Sequence, residues 1–328
     1  MIARIWSGKN KLYWLLIPFS LLYGLVVVIR KTCYRIGIFK SWRAPIPVIV
    51  VGNLSVGGNG KTPLVIYLVE QLRIRGYKVG VVSRGYGGSS EHYPLIVNET
   101  TSAHIAGDEP VLVYQRTKVP FAVSPKRSEA IKLLLTQHKL DLIITDDGLQ
   151  HYALQRDIEI VVVDGKNGFG NGWYLPAGPM RELPSRLKCV DFVVVNGQSH
   201  HVYQHAYLMT LSPHKAINML TGEQKPVTEL QSVCAIAGIG DPNRFFNMLK
   251  VLNVDVINNV SFTDHQKYSL QQLSNLVDSS GILLMTEKDA VKCVSFAQNN
   301  WWYLPIDAIL PTPFIENLTH KINQLKNI

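Results

Sequence analysis

Val48-Ile49-Val50-Val51-Gly52-Asn53-Leu54-Ser55-Val56-Gly57-Gly58-Asn59-Gly60-Lys61-Thr62 is the stretch around which the rest of the chain is read. The β-branched, apolar run Val48–Val51 has the character of a strand buried in a parallel sheet. It breaks into a glycine-rich loop that ends in Gly60-Lys61-Thr62. Pro63 follows where a first helical turn tolerates proline. Strand, glycine loop, Gly-Lys-Thr and helix together describe a P-loop. Its backbone N–H groups and helix N-terminus suit phosphate oxygens. Residues 55–62 (Ser55, Val56, Gly57, Gly58, Asn59, Gly60, Lys61, Thr62) are therefore the expected nucleotide cradle. Lys61 is suited to the β- and γ-phosphates, and the Thr62 hydroxyl to Mg²⁺. The strict pattern wants glycine at position 55, where this chain has Ser55, and the glycines lie inward at Gly57 and Gly58. The related partitioning-ATPase loop carries a signature lysine that here falls on Val56. A glycine turn that only packs helix on strand is the plainer alternative.

The 328 residues are about twice a usual domain, so two domains are the expectation. With 47% hydrophobic residues the chain can bury a sizeable core. The net charge of +9 suits nucleic acid, anionic lipid or a phosphorylated substrate. No zinc-finger spacing or aromatic RNA-binding motif supports nucleic acid. Cys33, Cys189, Cys234 and Cys293 are far apart, without C-x-x-C, and read as reduced, buried thiols of a cytoplasmic protein.

Leu12 to Ile29 holds no charged residue and is flanked by Lys9, Lys11, Arg30 and Lys31. Its eighteen residues span about 27 Å as a helix, against roughly 30 Å of hydrocarbon. Pro18, Ser20 and Gly24 weaken it as a spanning helix. Basic residues downstream favour a membrane anchor or interface-lying helix, with everything after Arg43 in the cytosol. A buried core helix is the alternative.

Further along, strand Val79–Ser83 runs into Arg84-Gly-Tyr86, which is either a site loop or a plain mobile loop. Asp108 in Gly107-Asp-Glu-Pro110 reads most simply as a helix cap. Lys126 and Arg127 open a helix that ends near His138. Cations in a first turn oppose the helix dipole, which makes Arg127 a phosphate candidate. Strand Leu140–Gly148 carries Asp146 and Asp147 at its end, either a Walker-B pair for Mg²⁺ or solvated turn aspartates. Residues 165–186 form a Gly- and Pro-rich loop with Arg181 and Glu182 as polar candidates. His200, His201 and His205 lack a closing ligand, and no metal site is expected there. A second α/β unit starts at strand Val233–Ala237, with Asp241 expected to cap the next helix and Thr286 with Asp289 to form a capping box. A last strand is expected over Trp302–Ile306.

The ordered set G-N-L-S-V-G-G-N-G-K-T-P, S-R-G-Y-G-G, G-D-E-P, T-D-D-G-L-Q-H, L-P-A-G-P-M-R-E, F-T-D-H and T-E-K-D-A-V-K resembles the tetraacyldisaccharide 4′-kinases, the lipid A 4′-kinases of Gram-negative bacteria. The resemblance runs over nearly the whole chain, and Ser55 is ordinary within it. It implies a lipid kinase moving the γ-phosphate of ATP to the 4′-hydroxyl of a tetraacylated glucosamine disaccharide 1-phosphate, late in lipid A biosynthesis. It implies ATP and Mg²⁺ as cofactors, and a site on the cytoplasmic face of the inner membrane. It implies no nucleic acid or obligate protein partner. The implied fold is α/β: a membrane-associated helix (1–44), a P-loop domain with a parallel sheet (45–205), a β-ribbon (206–230) and a smaller α/β domain (231–328). The resemblance also suggests Asp108 and His265 as a catalytic pair across the cleft. Lys61, Thr62 with Mg²⁺, Asp146, Asp147 and Arg127 would then supply positioning and charge neutralisation, with Arg181 beside them. A regulatory P-loop NTPase lacks support, because the signature lysine and any N-K-x-D motif are missing. A scaffold with a vestigial loop fits poorly with an intact Lys61-Thr62.

Overall fold

The computed structural model describes residues 2–199, 201–278 and 281–326, so His200 of the histidine group lies outside the described residues. Among the described residues the long strands make two sheets. The first is built from β1 (Val48–Gly52), β2 (Val79–Ser83), β3 (Leu95–Val97), β4 (Phe121–Val123), β5 (Leu142–Asp146), β6 (Ile158–Asp164), β7 (Phe192–Asn196) and β8 (Ala206–Pro213). The second contains β9 (Ala216–Asn218), β10 (Gln224–Lys225), β11 (Val233–Ala237), β12 (Val256–Ser261), β13 (Ile282–Thr286) and β14 (Trp301–Leu304). A last strand, β15 (Ile306–Ile309), returns to the first sheet.

In the first sheet the order is β15-β8-β7-β6-β1-β5-β2-β4-β3. Strands β8 to β4 run parallel, with an antiparallel strand at each edge. Strands β1, β5 and β6 are buried along their whole length, which is why they are mostly Val, Ile and Leu rather than alternating apolar and polar. The helix Lys61–Ile74 packs Leu64, Val65, Leu68, Val69 and Leu72 on this core. The smaller sheet has the order β10-β9-β14-β13-β11-β12, and its four strands β14, β13, β11 and β12 are parallel.

Parallel strands deliver all their following loops to one edge. The carboxyl ends of β1, β2, β4, β5, β6 and β7 and those of β11, β12 and β13 line one shared cleft.

The expected boundaries differ from sheet membership in two places. Residues 206–213 pair in parallel with β7 as part of the large sheet, so only β9 and β10 form the ribbon-like hairpin. The expected strand Trp302–Ile306 is cut at Pro305, where the chain leaves one sheet for the other. Proline lacks the N–H that a continuing ladder needs, and the helix Thr312–Lys326 then packs Phe314, Leu318 and Ile322 on the first core.

The N-terminal helix runs from Tyr13 to Arg35, long and apolar enough to cross a membrane. It is not a core helix: Ser20 and Gly24 are its buried residues, while Trp14, Leu15, Phe19, Leu22 and Leu25 are exposed. One face docks on the loop 173–178. Ser20 Oγ donates to the Tyr174 carbonyl at 2.6 Å and accepts from Ala177 N–H at 2.9 Å. A Cβ at Gly24 would lie 2.7 Å from the Tyr174 ring, so only glycine admits that approach. Ser20→Ala leaves the Ala177 amide buried without its acceptor. Unfolding in urea is expected to show a loss of about 1–3 kcal/mol, and unchanged stability would show that this docking is not a stabilising contact.

Candidate active site in the interdomain cleft

The loop after β1 is held in shape by its own polar side chains and by residues 179–181. Gly57 and Gly60 have φ values of 115° and 91°. At Gly60 a Cβ would also fall 2.4 Å from Asn196 Nδ2, whose amide donates to the Asn59 carbonyl at 3.1 Å. Ser55 Oγ accepts from Asn59 Nδ2 at 3.1 Å, and Val56 N–H donates to the Pro179 carbonyl at 2.9 Å. Ser55 and Val56 are thus committed to bracing the loop, which explains why glycine is not needed at 55. The helix Lys61–Ile74 begins behind Gly60 with no side-chain cap, so its first N–H groups face the cleft.

At the end of β5 the two aspartates have different surroundings. Asp147, at φ 47°, receives Arg181 Nη1 at 3.1 and 3.0 Å, with Lys61 Nζ at 3.7 Å. Burial would raise its carboxyl, but Lys61 and Arg181 prevail and hold it below the usual range. Asp146 is buried, its Oδ1 has no partner, and its carboxyl is pushed up, first by burial and then by Glu109. A buried carboxylate oxygen without a protein partner, in a cleft that the first-turn residue Thr62 also lines, is an oxygen donor set that fits a hard divalent cation such as Mg²⁺.

Arg127 opens its helix as expected, yet it is buried, and Nη2 donates to the Asp147 carbonyl at 2.9 Å. Burial foremost lowers its pKa to about 10, which leaves it charged near neutrality. The same burial, with Arg127 and Arg156 nearby, lowers His151 to about 4 and keeps that imidazole neutral. Glu182 does not line the cleft but sits behind it. It accepts from Gln150 Nε2 at 3.0 Å and lies 3.7 Å from Lys31 on the N-terminal helix.

Asp108 is not a cap. Gly107 takes the cap position, and Asp108 is the first helical residue of Asp108–Thr117, buried and aimed across the cleft. His265 Nδ1 lies 3.0 Å from both of its carboxylate oxygens, and Glu109 N–H donates to Oδ1 at 2.9 Å. Burial raises the Asp108 carboxyl, but the His265 hydrogen bond and Lys288 outweigh it and the net shift is downward. His265 moves the other way, upward, chiefly through the same hydrogen bond. Its φ of 60° is uncommon for a non-glycine residue, a local cost accepted where the ring must point at Asp108. The Tyr86 ring meets the imidazole edge-on at a centroid distance of 4.9 Å, and Arg84 lines the same cleft. The loop 84–88 is thus a wall of the site.

Several contacts here carried no sequence signal. Gly240 approaches the P-loop so closely that a Cβ would lie 3.0 Å from the Gly58 nitrogen. Asp241 stands at the cap position but makes no capping bond, because its carboxylate turns to Lys166 and Arg244. Arg244 also bonds Asp164 across the cleft. The Thr286–Asp289 cap does form. Between those two residues, Lys288 reaches both Glu109 and Asp264, a role that a capping pattern cannot reveal. The cleft encloses about 1360 Å³. That exceeds the roughly 300–1,000 Å³ of a site for one small ligand and leaves room for two substrates together.

Comparison with known proteins identifies the family and the fold. The family model for LpxK, tetraacyldisaccharide-1-P 4′-kinase, matches residues 12–323. A crystal structure of "apo" form LpxK from Aquifex aeolicus in complex with ATP is 31% identical. It superposes with a TM-score of 0.79 over 95% of this chain and 99% of that one. The signal recognition particle receptor FtsY from Elizabethkingia anophelis matches at 16% identity and a TM-score of 0.30, over 48% of this chain and 52% of its own, and that likeness carries no weight. A shared fold along nearly the full length, with 31% identity to a solved member, makes this chain a member of the tetraacyldisaccharide-1-phosphate 4′-kinase family.

Proposed function

We propose that the cleft performs this family's reaction through the residues just described. The reaction is transfer of the γ-phosphate of ATP to the 4′-hydroxyl of a tetraacylated glucosamine disaccharide 1-phosphate. The observation that carries the reading is the 3.0 Å contact between Asp108 and His265, made in the cleft that also holds the P-loop.

Phosphoryl transfer asks the protein for positioning and charge neutralisation more than for covalent chemistry. The loop 55–60 and the helix N-terminus cradle the triphosphate, and Lys61 neutralises its outer oxygens. Asp146 and Thr62 are the residues that would hold Mg²⁺, because Asp147 is already engaged by Arg181 and Lys61. When bound, the ion supplies charge neutralisation at the phosphoryl group being moved. Arg127 supports this corner by fixing the Asp147 carbonyl, and Arg181 adds a cation beside it. Asp108 accepts the proton of the sugar hydroxyl, while His265 orients the carboxylate and keeps it ionised.

The lipid acceptor requires a membrane face. The helix Tyr13–Arg35 docks on the catalytic unit from Ser20 to Tyr34, where Tyr34 meets Tyr152 at a ring distance of 6.0 Å. A helix held along that length lies in the interface with its exposed apolar side in lipid, rather than crossing the bilayer alone. The cytoplasmic face of the inner membrane, where ATP is available, is the location this reading assigns. The neck at residues 214–215 and 305 divides the chain into a large unit, which includes 306–326, and a smaller unit of 216–304.

Transfer of label from γ-labelled ATP to tetraacyldisaccharide 1-phosphate in detergent micelles tests the activity. Wild type should yield a bisphosphorylated lipid and Lys61→Ala none, whereas ATP hydrolysis without labelled lipid would point to a regulatory NTPase. Asp108→Ala is expected to lower kcat by about 10²–10⁴-fold with ATP affinity near wild type, and an equal loss of ATP binding would remove the general-base role. For the pH dependence, the ionised form of Asp108 is active, and its lowered pKa puts the acid limb of kcat below the ordinary carboxylate range. His265→Ala removes the hydrogen bond that, with Lys288, outweighs burial, so that limb should move to higher pH. A limb that stayed in place would mean His265 does not tune Asp108.

A further inference from the structure

Asp108 and His265 come from elements that share no sheet, yet they meet with hydrogen-bond precision. One ammonium group bonds the immediate chain neighbour of each. Lys288 Nζ donates to Glu109 Oε1 at 3.0 Å and to Asp264 Oδ1 at 3.2 Å. Glu109 follows Asp108 in its helix, and Asp264 precedes His265 in its loop. The Lys288 side chain is only 16% exposed. Removing a cation from water is costly unless its partners are in place, so this lysine is sensitive to losing either side.

Lys288 is itself firmly placed. It follows β13 in the short helix Glu287–Ala290, capped by Thr286 Oγ1 accepting from Asp289 N–H at 3.2 Å. The buried Asp289 carboxylate accepts from Thr286 Oγ1 at 2.6 Å, from Gly238 N–H at 2.9 Å and from Tyr268 OH at 2.8 Å. Those bonds tie the turn after β11 and the segment after His265 to the same point. The preceding residue, Glu287, accepts from Arg116 at 2.9 Å, near the far end of the Asp108 helix. Two consecutive residues of the smaller unit therefore grip that helix at both ends.

We propose that Lys288 is a positioning residue for phosphoryl transfer, which holds Asp108 and His265 in register by bridging Glu109 and Asp264. The inference rests on the reading of Asp108 as proton acceptor. The charges facing this point are Asp108 and Glu109 from one helix, Asp264 and His265 from the loop after β12, and Glu287 and Lys292 from the segment of Lys288 itself. Within that set Lys288 lowers the Asp108 carboxyl, which favours an ionised, proton-accepting aspartate. Burial works against the charge on Lys288, but Glu109, Asp108 and Asp264 more than offset it and raise its pKa.

The test compares Lys288→Met, Lys288→Arg and Asp108→Ala in the full chain, with kcat, KM for ATP and for the lipid, a pH profile and thermal unfolding. Misplacement by about 1 Å can cost as much as about 100-fold in rate, so Lys288→Met should lose about 10- to 100-fold in kcat. Its KM for ATP should stay near wild type and its acid limb should shift to higher pH, while Lys288→Arg restores most of the rate. Unchanged kcat and pH profile in Lys288→Met would overturn the proposal. If Lys288→Met does not fold, Glu109→Gln and Asp264→Asn decide the matter. A double variant that loses less than the product of the singles supports the bridge, and multiplicative losses refute it. Retained turnover in Asp108→Ala would sink the general-base reading, whereas an inactive Asp108→Ala beside an unaffected Lys288→Met would sink the Lys288 proposal alone.

Discussion

The contact between Asp108 and His265 is the interaction on which the rest of the site depends, because it exists only when two separate parallel sheets face each other at their carboxyl edges. The chain passes between the sheets twice, at residues 214–215 and at Pro305. These two crossings are adjacent, with His214 N–H donating to the Pro305 carbonyl at 2.9 Å. Two neighbouring strands make a narrow neck. The cleft is therefore held in its present shape by contacts across it: the Asp108–His265 pair, Lys288 with Glu109, Arg244 with Asp164, Lys166 with Asp241, and the close approach of Gly58 and Gly240. Arg116, bonded to both Glu287 and Asp307 beside the neck, adds a further brace.

Charge burial is the second organising constraint. The cleft gathers Asp108, Glu109, Asp146 and Asp147 with Lys61, Arg127, Arg181 and Lys288. Isolated charges would be costly there, and almost every one has a partner at hydrogen-bond or ion-pair distance. Asp146 Oδ1 is the exception that matters chemically, since it is buried and lacks a protein donor. Its neighbour Asp147, at φ 47°, turns its carboxylate to Arg181 instead. Two adjacent residues of the same type thereby acquire different charge environments, Asp146 from burial and from Glu109, and Asp147 from Lys61 and Arg181.

The N-terminal helix is joined to the cleft through one loop. It meets the loop 173–178 at Ser20 and Gly24, and the same loop continues into Met180 and Arg181, which pair with Leu54 and Ser55 of the P-loop. A single stretch of chain therefore touches the apolar helix on one side and the glycine-rich loop after β1 on the other. Glu182 adds a link from Lys31 on that helix to Gln150 in the site.

The local pattern of the sequence determined the strand–loop–helix of the P-loop, the buried character of β1 and β5, the exposed apolar helix and the Thr286 cap. Each of these follows from residues within a few positions of one another, through hydrophobic periodicity, glycine geometry or capping. Tertiary structure decided what those patterns could not carry. Residues 206–213 became a strand of the large sheet instead of a ribbon, because a parallel neighbour in β7 was available to pair with. Asp241 gave up its capping bond for Lys166 and Arg244. Asp108 and His265, 157 residues apart, became partners through sheet placement, and the sequence pointed to them only through family resemblance. Lys288 stood in the sequence only within a capping pattern and the T-E-K-D-A-V-K motif, neither of which gave it a role. Its meaning lies in two carboxylates from other elements, and contacts between distant segments are set by how sheets pack, which no short-range pattern encodes.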